Sequence, residues 1–334
     1  MKSRFGKIAL MYVVVAVISL FAANAASAGV RYRIKIGSVG SDTQPTSIVI
    51  REFGEFIKER SNGEMEAQYF FNSQLGGDRQ MCEAMQIGTL EIAVVSSSVL
   101  ASFVPEMNIL EFPYIFKTQD AAYKALDGEL GDHLGDLLLR RNFRVLAWGA
   151  NGYRHVTNNA RPIYAPDDLR GLKIRTIENP VYVDYFKEVG ANPTPMSFSE
   201  LFMALQQRTV DAQENPITLI YTSKLYEAQK YISMTGHIFA VAPFVISEQY
   251  FQRLPKEYQD ILLDAGRLYL ERQRQLTNDS DAGFMEEMKA VGIEINELTM
   301  DQINVFAEKA LPVHERYVDI VGREVLELAL KTND

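Results

Sequence analysis

The sequence predicts an α/β protein of two lobes that face each other across a cleft. Three observations predict it. At 334 residues and 47% hydrophobic, the chain is long enough for two domains with cores of their own. After about position 30, strand-period and helix-period patterns alternate, the order of a sheet covered by helices. A second series of the same kind begins near Phe143 with no Pro-, Gly- or Ser-rich linker before it. The absence of a tether points to lobes joined by several crossing strands.

Tyr32 to Gly37 alternates polar and apolar residues, as a half-buried strand does. Pro45 opens a helix with Ile48, Phe53, Phe56 and Ile57 roughly on one face, and Asn62-Gly63 stops it. Glu66 to Phe71 reads as a second strand. Gly76-Gly77 precedes a helix carrying Met81, Ala84, Met85 and Ile87, followed by a strand at Glu91 to Val95. This β-α-β-α-β order implies a parallel sheet. In the second series, Arg144 to Gly149 and Arg154 to Thr157 read as strands. Pro166 to Gly171 reads as a one-turn helix, with proline near its start and glycine just past its end. Leu172 to Arg175 is a strand and Val181 to Val189 a helix. Ser197-x-x-Glu200 is a capping box opening a helix through Leu205, and Thr209 to Gln213 is a further strand. A long helical pattern over 255–291 (Ile261, Leu262, Ala265, Leu268, Tyr269, Leu276) is long enough to cross both lobes.

Residues 1–28 read as an export signal rather than part of the fold. Lys2, Arg4 and Lys7 precede an uncharged apolar run from Ile8 to Phe21, and Ala26-Ser27-Ala28 offers a small-residue cleavage site. The run is shorter than the ~20 residues a membrane-spanning helix needs. An exported protein with a single cysteine, Cys82, has no intramolecular disulfide and fits a bacterial periplasm. Cys82 lies between apolar Met81 and Met85 and reads as a packed thiol.

The formal net charge is −9. Removing the three signal cations takes the mature chain to −12. That balance excludes a nucleic-acid binder, which depends on clustered Lys and Arg. Taken alone it also argues against an anionic small ligand. The chain holds no phosphate-binding or dinucleotide glycine motif, no nucleophile elbow and no histidine pair at metal-ligand spacing. No cofactor, no metal and no catalysis are expected. Two arginines stand out. Arg175 ends a strand near the carboxyl edge of the sheet, and Arg154 sits in Gly152-Tyr153-Arg154-His155. A planar guanidinium fork is matched to a carboxylate or sulfonate. Asn215 can add a directional amide, and Ser96-Ser97-Ser98 offers hydroxyls or a helix cap. Together these residues read as an exported anion-binding cleft.

At these residues the sequence resembles the DctP family, the periplasmic substrate-binding subunits of tripartite ATP-independent periplasmic (TRAP) transporters. The resemblance is carried by Asn72 to Arg79 (NSQLGGDR), Phe103 to Glu106 (FVPE) and Phe112-Pro113-Tyr114. It continues through Asn151 to Arg154 (NGYR), Gly171 to Arg175 (GLKIR), Gly190 to Glu200 (GANPTPMSFSE) and Asp211 to Pro216 (DAQENP). It implies a two-lobed periplasmic binding protein of type II-like build, with crossing hinge strands and a long helix shared by both lobes. The implied division is 29–151 plus about 241–270 for the first lobe, and 152–240 plus about 271–334 for the second. The resemblance makes Arg175 the arginine that pairs with a ligand carboxylate, supported by Arg154 and Asn215, with Phe198 and Asp78 lining the cleft. Ser96 and Val99 stand where sialic-acid-type members carry a Glu and an Arg, which points to a smaller, differently decorated organic anion. The implied partners are that anion and the small and large TRAP membrane subunits, with the binding protein a monomer. A receptor that signals to a membrane sensor has the same sequence requirements, and an enzyme on the same scaffold lacks the residues it needs.

Overall fold

In a computed structural model the described residues are 29–333. The expected export signal, 1–28, and Asp334 lie outside the described residues. The strands are β1 (Tyr32–Ser38), β2 (Met65–Phe70), β3 (Ile92–Val94), β4 (Phe143–Ala147), β5 (Ala150–Asn158) and β6 (Lys173–Thr176). They continue with β7 (Asn192–Pro195), β8 (Ala212–Pro216), β9 (Tyr231–Met234), β10 (Phe239–Val241), β11 (Phe244–Ser247) and β12 (Glu294–Glu297). They form two sheets, one in each lobe. The first runs β2-β1-β3-β11-β4; the second runs β12-β9-β5-β8-β6-β7, with β10 also paired to β5.

The three strands of the β-α-β-α-β series are parallel as expected, but neither sheet is parallel throughout. In the first, β1 is parallel to β2 and β3, but β11 is antiparallel to β3 and β4. In the second, β6 is parallel to β7 and β8, whereas β5 is antiparallel to β8 and β9. Two strand-to-strand crossings link the sheets, from β4 to β5 and back from β10 to β11, and a third passage runs from β11 to β12 through the helix Lys256–Ala290. A strand arriving from the other lobe enters in the reverse sense, and local hydrophobic periodicity carries no information about that direction. The two crossings touch: the N–H of Ala242 donates to the Gly149 carbonyl at 2.8 Å.

The helix Pro45–Arg60 ends as the sequence indicates, with Asn62 and Gly63 both at positive φ. The expected strand from Thr209 starts later, at Ala212. The N–H groups of Thr209 and Val210 donate instead to the Ala204 carbonyl and close the end of helix Phe198–Gln206. The capping box at Ser197 does not form. Ser197 occupies the cap position, but its hydroxyl pairs with Ser199 at 3.0 Å.

The long helix Lys256–Ala290 packs on helix Pro45–Arg60 and β4 in the first lobe, and on helix Ile217–Thr222 and β12 in the second. Tyr258, Ile261, Leu262, Ala265 and Tyr269 form its buried stripe at helical spacing. Tyr269 stacks on Phe244, and Phe53 meets that ring edge-on. Farther along, Gln273 clamps the hinge: its Oε1 accepts from the Ala150 N–H (3.1 Å) and its Nε2 donates to the Ala150 carbonyl (2.7 Å). The last helix, Arg323–Leu330, lies against helices Gln119–Leu126 and Glu129–Leu139 beside the first sheet.

Gly266 sets how closely this helix approaches β4. A Cβ there would lie 2.6 Å from the Leu146 carbonyl oxygen. Alanine normally gains about 1 kcal/mol over glycine in a helix. Overpacking against backbone costs about 1–3 kcal/mol, so Gly266→Ala is expected to destabilise the protein. A urea midpoint equal to or above the parent's would contradict that.

Candidate functional site

Between the lobes lies a cavity lined by residues of both. The first lobe contributes Ser38 at the carboxyl end of β1, Val94 to Ser96 at the end of β3, and Asp78 in the first turn of helix Asp78–Gln86. Loop residue Gln44 and Thr46 of helix Pro45–Arg60 complete that wall. The crossing strand β5 contributes Asn151 and Arg154, and the second lobe adds Arg175 from β6, Asn215 from β8, and Phe198 at the start of its helix. Clefts outside the carboxyl ends of strands are where ligands bind in open α/β folds. All six residues singled out from the sequence, Asp78, Ser96, Arg154, Arg175, Phe198 and Asn215, line this one cavity.

Their environments differ from the sequence expectation in three respects. Arg154 is inside β5 rather than at its end, and it is not free. Arg154 faces Pro216 across the β5–β8 ladder, so Glu214, two residues earlier on β8, is its diagonal neighbour on the same face. The guanidinium donates from Nε to Glu214 Oε2 (2.5 Å), from Nη2 to Oε1 (2.8 Å) and to the Glu214 carbonyl (2.7 Å). Both side chains are buried, at 4% and 0% exposure. Burial works against both charges, but the pairing dominates. Glu214 is drawn down to about 2, helped by His237 Nε2 at 3.1 Å, and Arg154 is raised.

Asn215 is likewise occupied. Its Oδ1 accepts from Arg154 Nη2 at 3.2 Å, and its Nδ2 donates to Gln213 Oε1 at 2.5 Å. It lies within β8, not after it. Ser96 precedes the short helix Ser97–Leu100 without a side-chain cap bond, and its hydroxyl donates to Ser98 at 3.1 Å. Cys82 is packed in the core as expected, its thiol pushed up by burial.

Arg175 keeps a free edge. Its Nε and Nη2 donate to the Met196 carbonyl at 3.0 and 2.8 Å, and the guanidinium sits over Phe198 at 6.0 Å. Among the described residues Nη1 has no acceptor. Burial lowers Arg175 to about 10, with Glu214 opposing and Arg154 adding to the fall, so it is a full cation at neutral pH.

Asp78 is the counterpart. Its Oδ2 accepts from the Ser96 N–H at 3.3 Å, while its buried Oδ1 has no partner among the described residues. Burial raises its carboxyl to about 6, against the pull of Ser96 and Arg175. The sign of the consequence follows. A carboxyl raised from 3.8 to about 6 costs the unliganded fold stability as pH rises through that window, by roughly 3 kcal/mol once fully ionised. Asp78→Asn is therefore expected to be more stable than the parent above pH 6 and no more stable below pH 4. Denaturant midpoints measured at pH 4 and pH 8 check this, and a parallel pH dependence for the two proteins would refute it.

Sequence reasoning did not assign roles to Glu214, Gln44, Thr46 or Asn151. Glu214 and Asn151 lie inside the motif stretches, and a run of polar residues within a strand, Gln213-Glu214-Asn215, is a signal for a buried polar network. Gln44 and Thr46 carry no such signal, because only the fold brings the start of that helix to the cleft.

Residues 36–319 match DctP, the bacterial extracellular solute-binding protein family 7. A solute-binding protein of Verminephrobacter eiseniae is 36% identical over 302 residues, 90% of this chain and 89% of its own length. The 2,3-diketo-L-gulonate-binding periplasmic protein YiaO of Escherichia coli is 36% identical over 262 residues, 78% of this chain and 80% of its own. Among solved structures, the sugar acid binding protein DctPAm from Advenella mimigardefordensis, in complex with galactonate, matches with a TM-score of 0.89 at 32% identity. That match covers 91% of this chain and 98% of the other.

Proposed function

The chain belongs to family 7 of the bacterial extracellular solute-binding proteins, the DctP family, and from that premise we propose that its interlobe cavity captures a small organic anion for delivery to TRAP membrane subunits. It is a binding protein of a TRAP transporter, not an enzyme. The observation that carries the site assignment is Arg175: a buried, ionised guanidinium with an unpaired edge in a cavity at the strand carboxyl ends. A buried cation aimed at empty space gains most from an anion that replaces the water it has lost. Ligands of similar proteins, 2,3-diketo-L-gulonate and galactonate, are sugar acids that carry such a group.

Arg175, Phe198 and Asp78 contact the ligand, while Arg154 and Asn215 hold the wall behind it through Glu214. Ser96 acts through its N–H, which orients Asp78. The lobes are taken as 29–151 plus about 241–270 and 152–240 plus about 271–299. The C-terminal helices bridge the two lobes rather than belonging wholly to the second. They hinge at the paired crossings near Gly149 and Ala242 and close on the ligand. The chain works as a monomer in the periplasm, exported by its first 28 residues. No helix among the described residues is long and apolar enough to cross a membrane.

Thermal-shift screening against a panel of organic acids tests the reading. A ligand at ~100 times its dissociation constant adds about 2.7 kcal/mol of stability, a readily measured shift. No shift from any carboxylate or sulfonate, with a response to neutral sugars instead, would overturn it.

A further inference from the structure

Two glycines precede helix Asp78–Gln86, for different reasons. Gly76 has a φ of +91°, a backbone conformation that favours glycine. Gly77 occupies the cap position with φ −78° and ψ 179°, extended backbone that any residue adopts. What calls for glycine there is the opposite lobe. A Cβ at Gly77 would overlap the Ser197 hydroxyl oxygen and lie 3.6 Å from the Ser197 Cβ. Ser197 is itself the cap residue of helix Phe198–Gln206 and makes no cap bond. Two helix starts from different lobes therefore meet. Cavity residues adjoin the contact in both lobes: Asp78 follows Gly77, and Phe198 follows Ser197. Met196, just before Ser197, holds the Arg175 fork through its carbonyl.

Resting on the reading of this cavity as a site whose lobes close on an organic anion, we infer that Gly77 and Ser197 are the positioning residues of closure: they form its contact, and the missing side chain at Gly77 sets how far the lobes shut. Neither residue lines the cavity, so their effect on binding is through the lobe angle. Residues 196–198 carry the Arg175 anchor, the contact and a cavity wall in succession, so a ligand that bridges Arg175 and the Asp78 side brings the contact together. A branched side chain at position 77 would stop the lobes short and leave the closed arrangement less populated. Apparent affinity falls by the same fraction. Alanine is a milder change, because its Cβ meets only the Ser197 hydroxyl, which can turn away. Valine adds two carbons to a space already at contact distance.

The mature protein is titrated calorimetrically at pH 7.5 with D-galactonate, D-erythronate and succinate, and the tightest of the three serves as the probe. Gly77→Val is expected to weaken that probe by about thirtyfold or more, and Gly77→Ala by about threefold or less. Adding Ser197→Gly to Gly77→Val is expected to restore at least about tenfold, because it clears the space from the other side. A fault confined to the helix cap at Gly77 would not be corrected by a change in the other lobe. Thermal melts without ligand show that the variants are folded. A second variant, Gly77→Cys with Ser197→Cys, places two thiols within disulfide range; the native Cys82 is buried and does not compete. With oxidised glutathione as the oxidant, the cross-link is expected to form faster with the probe present and to retain it through dialysis. Affinity of folded Gly77→Val within threefold of the parent, or a loss that Ser197→Gly leaves unchanged, would overturn the inference. So would a cross-link that never forms or whose rate ignores the probe. In each of these cases, loss of the probe in Arg175→Lys leaves the anion-site reading intact. Binding of none of the three acids by the parent would overturn that reading and this inference with it.

Discussion

Arg175→Lys is expected to weaken ligand binding by tens- to thousands-fold while leaving a folded protein. The substitution preserves a positive charge, so a purely Coulombic site would tolerate it. This site is geometric. Two N–H groups of the guanidinium are tied to the Met196 carbonyl, which fixes the plane of the fork and leaves Nη1 unpaired in a side chain that lines the cavity. A lysine ammonium has no such plane and must choose between the carbonyl and the ligand. Burial already lowers Arg175 to about 10, and an ammonium, more strongly hydrated and starting from a lower pKa, gives up its proton more readily in the same place. Losing one partner of a buried charge-assisted pair costs roughly 2–5 kcal/mol, which converts to that range of affinity. Calorimetry with the best ligand from the acid panel measures it. Affinity within threefold of the parent would sink the assignment of Arg175.

Glu214→Gln is expected to be the most destabilising single change at the site, at about 3–5 kcal/mol, because it strands a buried guanidinium without its counter-charge. The pair is not therefore a net source of stability. Replacing both members by uncharged groups of similar size is often neutral or better, so Arg154→Met combined with Glu214→Gln is expected to recover most of the loss. The pH dependence has a definite sign. Glu214 is held at about 2, below its ordinary 4.5, so its contribution is fully present above pH 4.5 and is lost as pH falls toward 2. Denaturant unfolding of the parent, the single and the double variant at pH 7 checks the order. A double variant no more stable than Glu214→Gln would refute the account.

A −9 chain with an anionic ligand is less of a contradiction than the total implies. Net charge governs solubility and long-range steering. Recognition depends on the few charges inside the cleft, and there one cation, Arg175, keeps a free edge.

The elements of the fold were largely legible. The proline that opens helix Pro45–Arg60 and the Asn62-Gly63 that stops it act within a few residues, so their effect needs no tertiary context. The same holds for the apolar stripe of the long helix, whose length alone marks it as spanning both lobes. The errors arose where two nearby partners compete for one group, or where the other lobe sets the direction of a strand. The Ser197 hydroxyl bonds Ser199 instead of a backbone N–H. Thr209 and Val210 close a helix instead of opening a strand. β11 runs against β3 and β4 because it returns from the other lobe.

For the site, the local pattern marked an arginine near the end of a strand, and the family resemblance added an acid at one helix start and an aromatic at another. Strand ends and helix starts are local facts, and the motif stretches mark them. Only the tertiary structure decided what those residues can do. The register between β5 and β8 places Glu214 against Arg154, 60 residues away, and cancels one of the two expected cations. The same folding takes every donor but one backbone N–H away from Asp78. In a buried space the strength of a charge depends on its nearest partners, and those partners are set by long-range strand pairing that no local pattern of residues encodes.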